Sequence, residues 1–240
     1  MKFDHINSQD ISKVIKEKKV ALLPIGAVEA HGPHLPLGTD SILAENLSYK
    51  VCKKINGLVL PTLYYSQVWS LGNFKGTIGI STTTLKVLIK EIIKEVHRNE
   101  FKIVAIINTH LGNLTAIKEA AREAMKELPE DFKIFYFTYP GADKVISEVM
   151  DSSKFHKGFF HADEIETSYM LYLAKEYVDM DKAVNGNPKV SENMEFTPMR
   201  WDLFTETAVM GDATLATEKK GEIVIENVIN NITKVLNKYI

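Results

Sequence analysis

The sequence predicts an α/β protein, a three-layer α/β/α sandwich built around a mostly parallel sheet. Short apolar runs alternate along the chain with longer segments whose apolar residues recur at helical spacing. Such an alternation of strands and helices favours a parallel sheet that helices cover on both faces. The 240 residues, of which 45% are hydrophobic, suffice for one large core, and no stretch resembles a linker. We therefore expect a single domain over residues 1–240.

The individual elements follow from these patterns in chain order. The predicted strands are 20–25, 58–63, 102–107 and 132–138, with a short extended piece at 77–80. The predicted helices are 9–18, 41–55, 82–99, 114–128, 161–177 and 219–238. Ser41 is the expected cap of the second helix, and Thr82 or Thr83 that of the third. Residues 141–160 and 180–217 show little periodicity, so we predict irregular structure there.

Composition and charge narrow the class of protein. A formal net charge of −2 argues against a nucleic-acid-binding protein that works by neutralising phosphates. No apolar run approaches the roughly 20 residues that span a bilayer. The first residues are too polar for a secretion signal, and a single cysteine, Cys52, suits a reducing compartment. We therefore expect a cytoplasmic protein that acts on a small molecule and has neither a membrane nor a nucleic-acid partner.

The stretch 19–40 carries the first group of candidate metal ligands. An apolar strand is followed by a loop rich in glycine and proline, which contains Glu29, His31, His34 and Asp40. In α/β folds such loops lie at the carboxyl end of the sheet, where ligands bind. Alternation in an extended loop puts Glu29 and His31 on the same side, so each could serve one ion. Asp40 is short and follows a turn, which makes it the expected bridge, while His34 is expected to support a ligand.

Two further loops carry polar residues of the same kinds. His110 follows the third apolar strand, and His161, Asp163, Glu164 and Glu166 open a predicted helix. Carboxylates together with imidazoles suit a borderline divalent ion such as Zn, Mn or Fe(II). The three loops therefore predict a centre of two ions, about 3.5–4 Å apart, that activate a shared water.

Simpler explanations exist for each of these residues. A single histidine in a loop is more often a surface or hydrogen-bonded residue than a ligand. Acidic residues at 163–166 would stabilise the dipole of the helix that they begin. Asp40 could serve only as a cap of helix 41–55. His5, His97 and His156 belong to none of these groups of candidate ligands, so we expect them to be structural or surface residues.

Several segments of the chain match the motifs of one known family. Residues 23–40 read LPIGAVEAHGPHLPLGTD, residues 108–113 NTHLGN and residues 161–168 HADEIETS, and residues 74–77 and 211–221 add two shorter matches. In this order they closely resemble the motifs of the creatininase (creatinine amidohydrolase) family. The resemblance extends over most of the chain. It implies a creatininase-like α/β sandwich, a dinuclear metal centre and hydrolysis of a non-peptide or unusual amide C–N bond.

The resemblance also implies which residues hold the ions. Carried over position by position, Glu29, Asp40 and His110 would hold one ion. His31 and Asp40 would hold the second ion, together with one further carboxylate.

The source of that last carboxylate is where this chain departs from creatininase. In creatininase the carboxylate lies two residues after the histidine that matches His110, but this chain has Gly112 there. We expect Glu166 to take its place. His161 matches the proton-transferring histidine of the family, and we expect it to be catalytic together with Glu166.

The expected substrate also follows from a comparison within the family. Creatininase has a tryptophan four positions before the residue that matches His161, whereas this chain has Lys157, and neither Trp69 nor Trp201 matches. Residues 65–74 instead resemble archaeal members that deformylate a formamidopyrimidine ribonucleotide in riboflavin and deazaflavin-cofactor biosynthesis. We therefore expect that substrate, 2-amino-5-formylamino-6-ribosylaminopyrimidinone 5'-phosphate.

Aromatic and basic residues in the loops are the candidates for binding it. Trp69, Phe155 or Phe159 could stack on the pyrimidine. Lys75, Lys154 or Lys157 could contact the phosphate, although any one lysine could equally be a solvated surface charge. Asn113, in the second motif, is also expected at the substrate.

Other functions remain open at this point. The alternatives are a hydrolase of creatinine or another cyclic amide, a mycofactocin-type peptidase, and a non-catalytic metal-binding relative. The resemblance further implies a ring-like homo-oligomer, often a hexamer. The aromatic stretch 193–210 could then be a subunit contact or a wall of the pocket.

Overall fold

A parallel sheet forms the centre of the molecule, which confirms the predicted fold class. The computed structural model describes residues 1–153, 160–190 and 192–240. The strands are β1 (Val20–Ile25), β2 (Leu58–Val59), β3 (Ile103–Asn108) and β4 (Lys133–Phe137), arranged in the order β2-β1-β3-β4. β1 and β3 are buried at every residue, as expected of strands with helices on both faces. They pair in parallel up to Ile25 with Asn108, so the loops that follow them begin side by side.

Helices cover both faces of this sheet and make the three layers. They are α1 (Ile11–Glu17), α2 (Thr39–Ile55), α3 (Thr82–Arg98), α4 (Leu114–Met125), α5 (Ala142–Val149), α6 (Glu164–Leu173) and α7 (Glu218–Leu236). α1, α3 and α4 contribute to the apolar core on one face, and α2, α5, α6 and α7 to the core on the other. Within the described ranges, no helix has both the length and the apolar character needed to cross a bilayer.

One helix, α5, lies in a segment that we predicted to be irregular. It begins after Gly141, which has a left-handed φ of 77°, and its buried residues are Ala142 and Ile146. Asn231 of α7 donates a hydrogen bond of 3.1 Å to the carbonyl of Pro140, 91 positions earlier. A helix of eight residues is too short to show a clear period in the sequence, and contacts with a distant helix stabilise this one.

Two predicted helix caps are also corrected. α2 begins at Thr39, so Ser41 lies inside its first turn and donates its hydroxyl hydrogen to the carbonyl of Ala27 instead of capping the helix. α3 is capped by Ser81, whose Oγ accepts from the backbone N–H of Thr84 at 3.0 Å, and not by either predicted threonine. Both corrections are shifts of one to three residues at a helix end.

The segment 180–217 is largely irregular, as predicted. It contains short 3₁₀ turns and a two-stranded antiparallel pair, β5 (Asn185–Gly186) with β6 (Gly211–Asp212). The backbone N–H of Met210 donates to the carbonyl of His161 at 2.8 Å. This contact joins the segment to the start of α6, beside the carboxyl ends of the strands.

Candidate metal centre

Six polar side chains from four segments meet at the carboxyl edge of the sheet. The loop after β1, the first turn of α2, the loop after β3 and the start of α6 supply them, and they are Glu29, His31, Asp40, His110, His161 and Glu166. All except His110 are almost fully buried. They converge because β1 and β3 are neighbours, so their following loops share one edge of the sheet.

Glu29, Asp40 and His110 form the first triad. His110 Nδ1 lies 3.1 Å from Glu29 Oε1 and 3.2 Å from Asp40 Oδ2. The other ring nitrogen, Nε2, donates to the carbonyl of Gln67 at 2.7 Å. Since a carbonyl only accepts, this bond leaves Nδ1 as the nitrogen available to an ion, as is usual for metal-binding histidines.

His31, Asp40 and Glu166 form the second triad. His31 Nε2 lies 3.7 Å from Asp40 Oδ1 and 3.7 Å from Glu166 Oε2. His31 Nδ1 donates to the carbonyl of Glu29 at 3.1 Å, so Nε2 is the free nitrogen. That nitrogen is buried and has no hydrogen-bond partner among the described residues. A buried polar atom without a partner calls for an explanation, and a bound ion is one.

Asp40 belongs to both triads and presents a different oxygen to each. Oδ1 faces His31, whereas Oδ2 faces His110 and has no hydrogen-bond partner among the described residues. Thr109 donates to the backbone carbonyl of Asp40 at 2.7 Å, which links the loop after β3 to the first turn of α2. In each triad the candidate ligand atoms lie within 4.8 Å of one another. The residues present therefore fit two divalent ions that share one carboxylate.

The electrostatics of the cluster favour bound cations. Burial, together with the charge of Asp40, raises the pKa of Glu166 to about 8. Burial opposes protonation of His31, but the charges of Asp40, Glu166 and Glu29 outweigh it and raise the His31 pKa to about 10. Three carboxylates in a buried site need compensating positive charge. Protons can supply that charge, and so can metal ions, which compete with protons for the same groups.

The pKa of His161 is shifted in the opposite direction to the pKa values of His31 and His110, which are both raised. Its Nε2 donates to the carbonyl of Ala30 at 2.7 Å, and its Nδ1 lies 3.9 Å from Glu29 Oε1 and 4.0 Å from Glu166 Oε2. Burial and the charge of His31 lower the pKa of His161 to about 3. The ring is therefore neutral, with a lone pair on Nδ1. That nitrogen can accept a proton, and it also lies close enough to Glu29 and His31 to be a ligand.

The start of α6 explains how Glu166 is positioned. Asp163 caps the helix by accepting from the N–H groups of Ile165 at 2.9 Å and Glu166 at 3.0 Å. The N–H of Ala162 donates to Glu166 Oε2 at 2.6 Å. Glu164 is bonded instead to Lys220 of α7. Of the acidic residues at 163–166, only Glu166 is therefore in a candidate triad, while helix capping explains Asp163.

A cavity of about 230 Å³ opens above the cluster. Besides the polar groups below it, its lining includes Gln67, Trp69, Leu111, Phe160 and Trp201. The Trp201 ring meets the His161 ring edge-on, with 5.3 Å between centroids. This tryptophan has no match in creatininase, and the stretch 193–210 that contains it was predicted to be either a subunit contact or a pocket wall. The fold places Trp201 in the wall.

The other residues predicted to bind substrate differ in their positions relative to the cavity. Trp69 lines the cavity, and its side chain is half exposed. Asn113 is fully buried, is not part of the lining and donates to the carbonyl of Gly26 at 2.9 Å, and its contact with substrate stays a prediction. Lys75 is exposed and is not part of the lining. Lys154, Phe155, Lys157 and Phe159 lie outside the described residues.

Such a fold and site define the class of metal-dependent hydrolases. Within that class, the chain belongs to the creatininase family, because the family model for creatinine amidohydrolase matches residues 4–236. It is thus an amidohydrolase, an enzyme acting on C–N bonds other than peptide bonds.

Curated relatives of this chain are hydrolases with different named substrates. It is 29% identical over 233 residues to creatinine amidohydrolase from Pseudomonas putida, covering 91% of this chain and 89% of that protein. It is 29% identical over 223 residues to the mycofactocin precursor peptide peptidase of Mycolicibacterium smegmatis, covering 88% and 81%. A shorter match, 29% identical over 137 residues, covers 53% of this chain and 57% of a deformylase from Methanocaldococcus infernus, which acts on 2-amino-5-formylamino-6-ribosylaminopyrimidin-4(3H)-one 5'-monophosphate.

Solved structures agree with the fold. The crystal structure of a creatininase superposes with a TM-score of 0.90 at 24% identity, covering 99% of this chain and 96% of that one. A manganese form and a Zn–Zn variant form of creatininase superpose with TM-scores of 0.87 and 0.86, each at 25% identity, covering 99% of this chain and 97% of each of theirs. The neighbours therefore include metal-bound enzymes.

Proposed function

We propose that this protein is a dinuclear metal-dependent amidohydrolase that removes the formyl group from a formamidopyrimidine ribonucleotide, in riboflavin or deazaflavin-cofactor biosynthesis. The observation that carries the proposal is the pair of triads that share Asp40 below an aromatic cavity. The choice of substrate is supported by the resemblance of residues 65–74 to the archaeal deformylases and by the partial match to one of them.

Each ion would be held by three residues, and Asp40 would belong to both sets of ligands. Glu29, Asp40 and His110 would hold one ion, and His31, Asp40 and Glu166 the other. When bound, two divalent ions supply Lewis acidity, which lowers the pKa of water and polarises the carbonyl to be attacked. Zn, Mn and Fe(II) all suit such a set of imidazoles and carboxylates, and the manganese and zinc forms of creatininase support the first two.

His161 would transfer a proton from the attacking water to the leaving nitrogen. Hydrolysis of a formamide adds water across the C–N bond and yields formate and an amine, so one proton must reach the leaving nitrogen. The neutral His161 ring has its Nδ1 lone pair on the side of the cluster and is held in that orientation by its bond to Ala30. It can take a proton from the attacking water and return it to the nitrogen, the usual task of a general acid–base histidine.

The cavity would select a flat, polar substrate. Trp69 and Trp201 supply aromatic faces or edges, and the side-chain amide of Gln67 offers both a donor and an acceptor. The volume of about 230 Å³ is below the roughly 300–1,000 Å³ of pockets that enclose drug-sized ligands. A pyrimidine would therefore occupy the cavity while the ribose phosphate extends outside it. We keep Lys75 and Lys157 as proposed phosphate contacts.

Formate release tests this function directly. The enzyme purified in the presence of Zn²⁺, Mn²⁺ or Fe²⁺ is supplied with the formamidopyrimidine ribonucleotide, and formate and amine are quantified. We expect equal amounts of both products, and no turnover after treatment with a chelator. Metal binding without hydrolysis of any formamide, cyclic amide or peptide would instead indicate a non-catalytic metal-binding relative.

Hydrolysis of creatinine or another cyclic amide is the second candidate. The nearly full-length similarity to the Pseudomonas putida enzyme favours it. The same preparation is therefore tested for conversion of creatinine to creatine and for cleavage of a mycofactocin-type precursor peptide. Turnover of either compound without formate release would replace the deformylase proposal.

A further inference from the structure

A buried hydrogen bond joins the loop of the first ligands to the helix of the last one. His34 Nε2 and Thr167 Oγ1 are 2.8 Å apart, although the two residues are 133 positions apart in the chain. Both side chains are buried, His34 with 2% of its surface exposed and Thr167 with none. Solvent therefore does not compete for this bond.

The two partners are immediate neighbours of the second triad. His34 lies in the same loop as Glu29 and His31, and Thr167 directly follows Glu166 in α6. Glu166 belongs to α6, so it reaches His31 from a different element of the fold. The position of α6 against the loop therefore determines the 3.7 Å distance between His31 Nε2 and Glu166 Oε2.

The loop is bonded to the region of α6 at a second point. The N–H of Asp179, just beyond the helix, donates to the carbonyl of His34 at 3.0 Å. The loop also folds tightly over the ring, since a Cβ placed on Gly32, which has a φ of +72°, would lie 2.9 Å from His34 Nδ1. The imidazole is thus clamped between its own loop and the helix.

Packing alone is a poor explanation for a histidine at this position. His34 Nδ1 is buried and has no hydrogen-bond partner within the described residues. An unpaired buried polar atom costs free energy, which an apolar side chain of similar size would avoid. What the imidazole adds over such a side chain is the directional bond to Thr167.

We propose that the His34–Thr167 hydrogen bond is a positioning device for the second triad, and that it sets how tightly the ion held by His31, Asp40 and Glu166 binds. The inference rests on the proposed metal centre. Neither residue would touch the ion or the substrate. The first triad, which receives no ligand from α6, would be independent of the bond.

Zinc titration of Thr167→Val tests the proposal, because valine keeps the shape of threonine and removes the hydroxyl. Chelator-treated protein is titrated with Zn²⁺ in a calorimeter, and the affinity of each site is fitted. We expect one site to weaken by roughly 10–100-fold, the usual effect of removing a group that supports a ligand, and the other to keep its affinity. Thr167→Ser, which retains the hydroxyl, is expected to keep both affinities.

A matched control is Thr233→Val in α7, since the Thr233 hydroxyl is buried but has no hydrogen-bond partner within the described residues. It should bind zinc as the wild type does. If Thr167→Val also binds both ions with wild-type affinity, the positioning role is wrong. If both sites weaken alike and the melting temperature falls in parallel, the bond is merely structural and the proposal is again overturned. Failure of the wild type to bind any zinc would refute the metal centre itself, which is a different result.

Discussion

The Oδ2 atom of Asp40 lies 3.2 Å from His110 Nδ1, whereas the other carboxylate oxygen, Oδ1, lies 3.7 Å from His31 Nε2 in the second triad. A carboxylate arranged in this way can serve two ions at once. It stands at the start of α2, where the helix fixes its direction, and a hydrogen bond from Thr109 ties its backbone to the neighbouring loop. Both triads therefore depend on one side chain.

Replacing that side chain should abolish both sites. We expect Asp40→Ala to lose both metal ions, and hydrolytic activity with them, because each triad is left with two ligands. Metal content per chain is measured by plasma mass spectrometry after dialysis. Asp131→Ala, in the exposed loop before β4, is the control and should keep metal and activity. A variant of Asp40 with full metal content and turnover would refute the assignment.

Replacing Glu166 should remove only one ion. We expect Glu166→Gln to retain about one metal ion per chain, because the triad of Glu29, Asp40 and His110 is left intact. Activity should fall strongly, since the water is no longer activated by a pair of ions. The same metal analysis and a formate assay measure this, with the exposed Glu176→Gln as control. Retention of two tightly bound ions would show that the second carboxylate comes from another residue.

His161→Gln separates proton transfer from metal binding. If His161 moves the proton, the variant should keep both ions while kcat falls roughly 10²–10⁴-fold, the typical contribution of a general acid–base group. Steady-state kinetics and metal content are determined on the same preparation. His97→Gln, at the opposite end of the sheet, should behave as the wild type. Loss of one ion from His161→Gln would make this histidine a ligand instead.

Removal of the Trp201 ring should weaken substrate binding more than catalysis. Stacking of a base on an aromatic ring contributes about 1–3 kcal/mol. We therefore expect Trp201→Ala to raise KM by about tenfold or more with a smaller effect on kcat, and Trp201→Phe to raise it less. Phe196→Ala, whose side chain is 83% exposed and lies outside the cavity lining, is the control. An unchanged KM for Trp201→Ala would exclude a role in recognition.

The packing of α6 on α7 depends on a glycine. A Cβ at Gly221 would lie 1.9 Å from the backbone oxygen of Ser168, so the two helices could not keep their present distance. We expect Gly221→Ala to lower the free energy of unfolding by about 1–3 kcal/mol, the usual cost of overpacking. Urea denaturation measures the change. Gly72→Ala, where the nearest atom would be 3.4 Å away, should have little effect.

Much of the fold and of the candidate site could be predicted from local sequence. Glu29, His31 and Asp40 belong to one loop and the helical turn that follows it, so a single motif contains them. His110 joins them because β1 and β3 are adjacent in the sheet, which is a common consequence of alternating strands and helices.

Other features could not be predicted, because contacts between distant segments decide them. α5 packs against α7, and this contact, which exists only in the folded protein, stabilises α5. Asn113 sits in a family-like motif, yet its amide bonds to the backbone of Gly26, 87 positions earlier. Trp201 lies in a segment without periodicity, so no local sequence pattern indicates that it reaches the cavity. In each case the local sequence was compatible with several structures, and contacts with distant residues determined which one forms.

The sequence by itself determined the α/β class, the family and the chemical types gathered at the carboxyl edge of the sheet, since these depend on local periodicity and short motifs. Only the tertiary structure decided which oxygen of Asp40 faces each histidine, that Asn113 bonds to the backbone of Gly26, and that Trp201 lies in the wall of the pocket. The physical reason is that distances of a few ångströms between different segments of the chain are set by helix and loop packing, which no local pattern specifies.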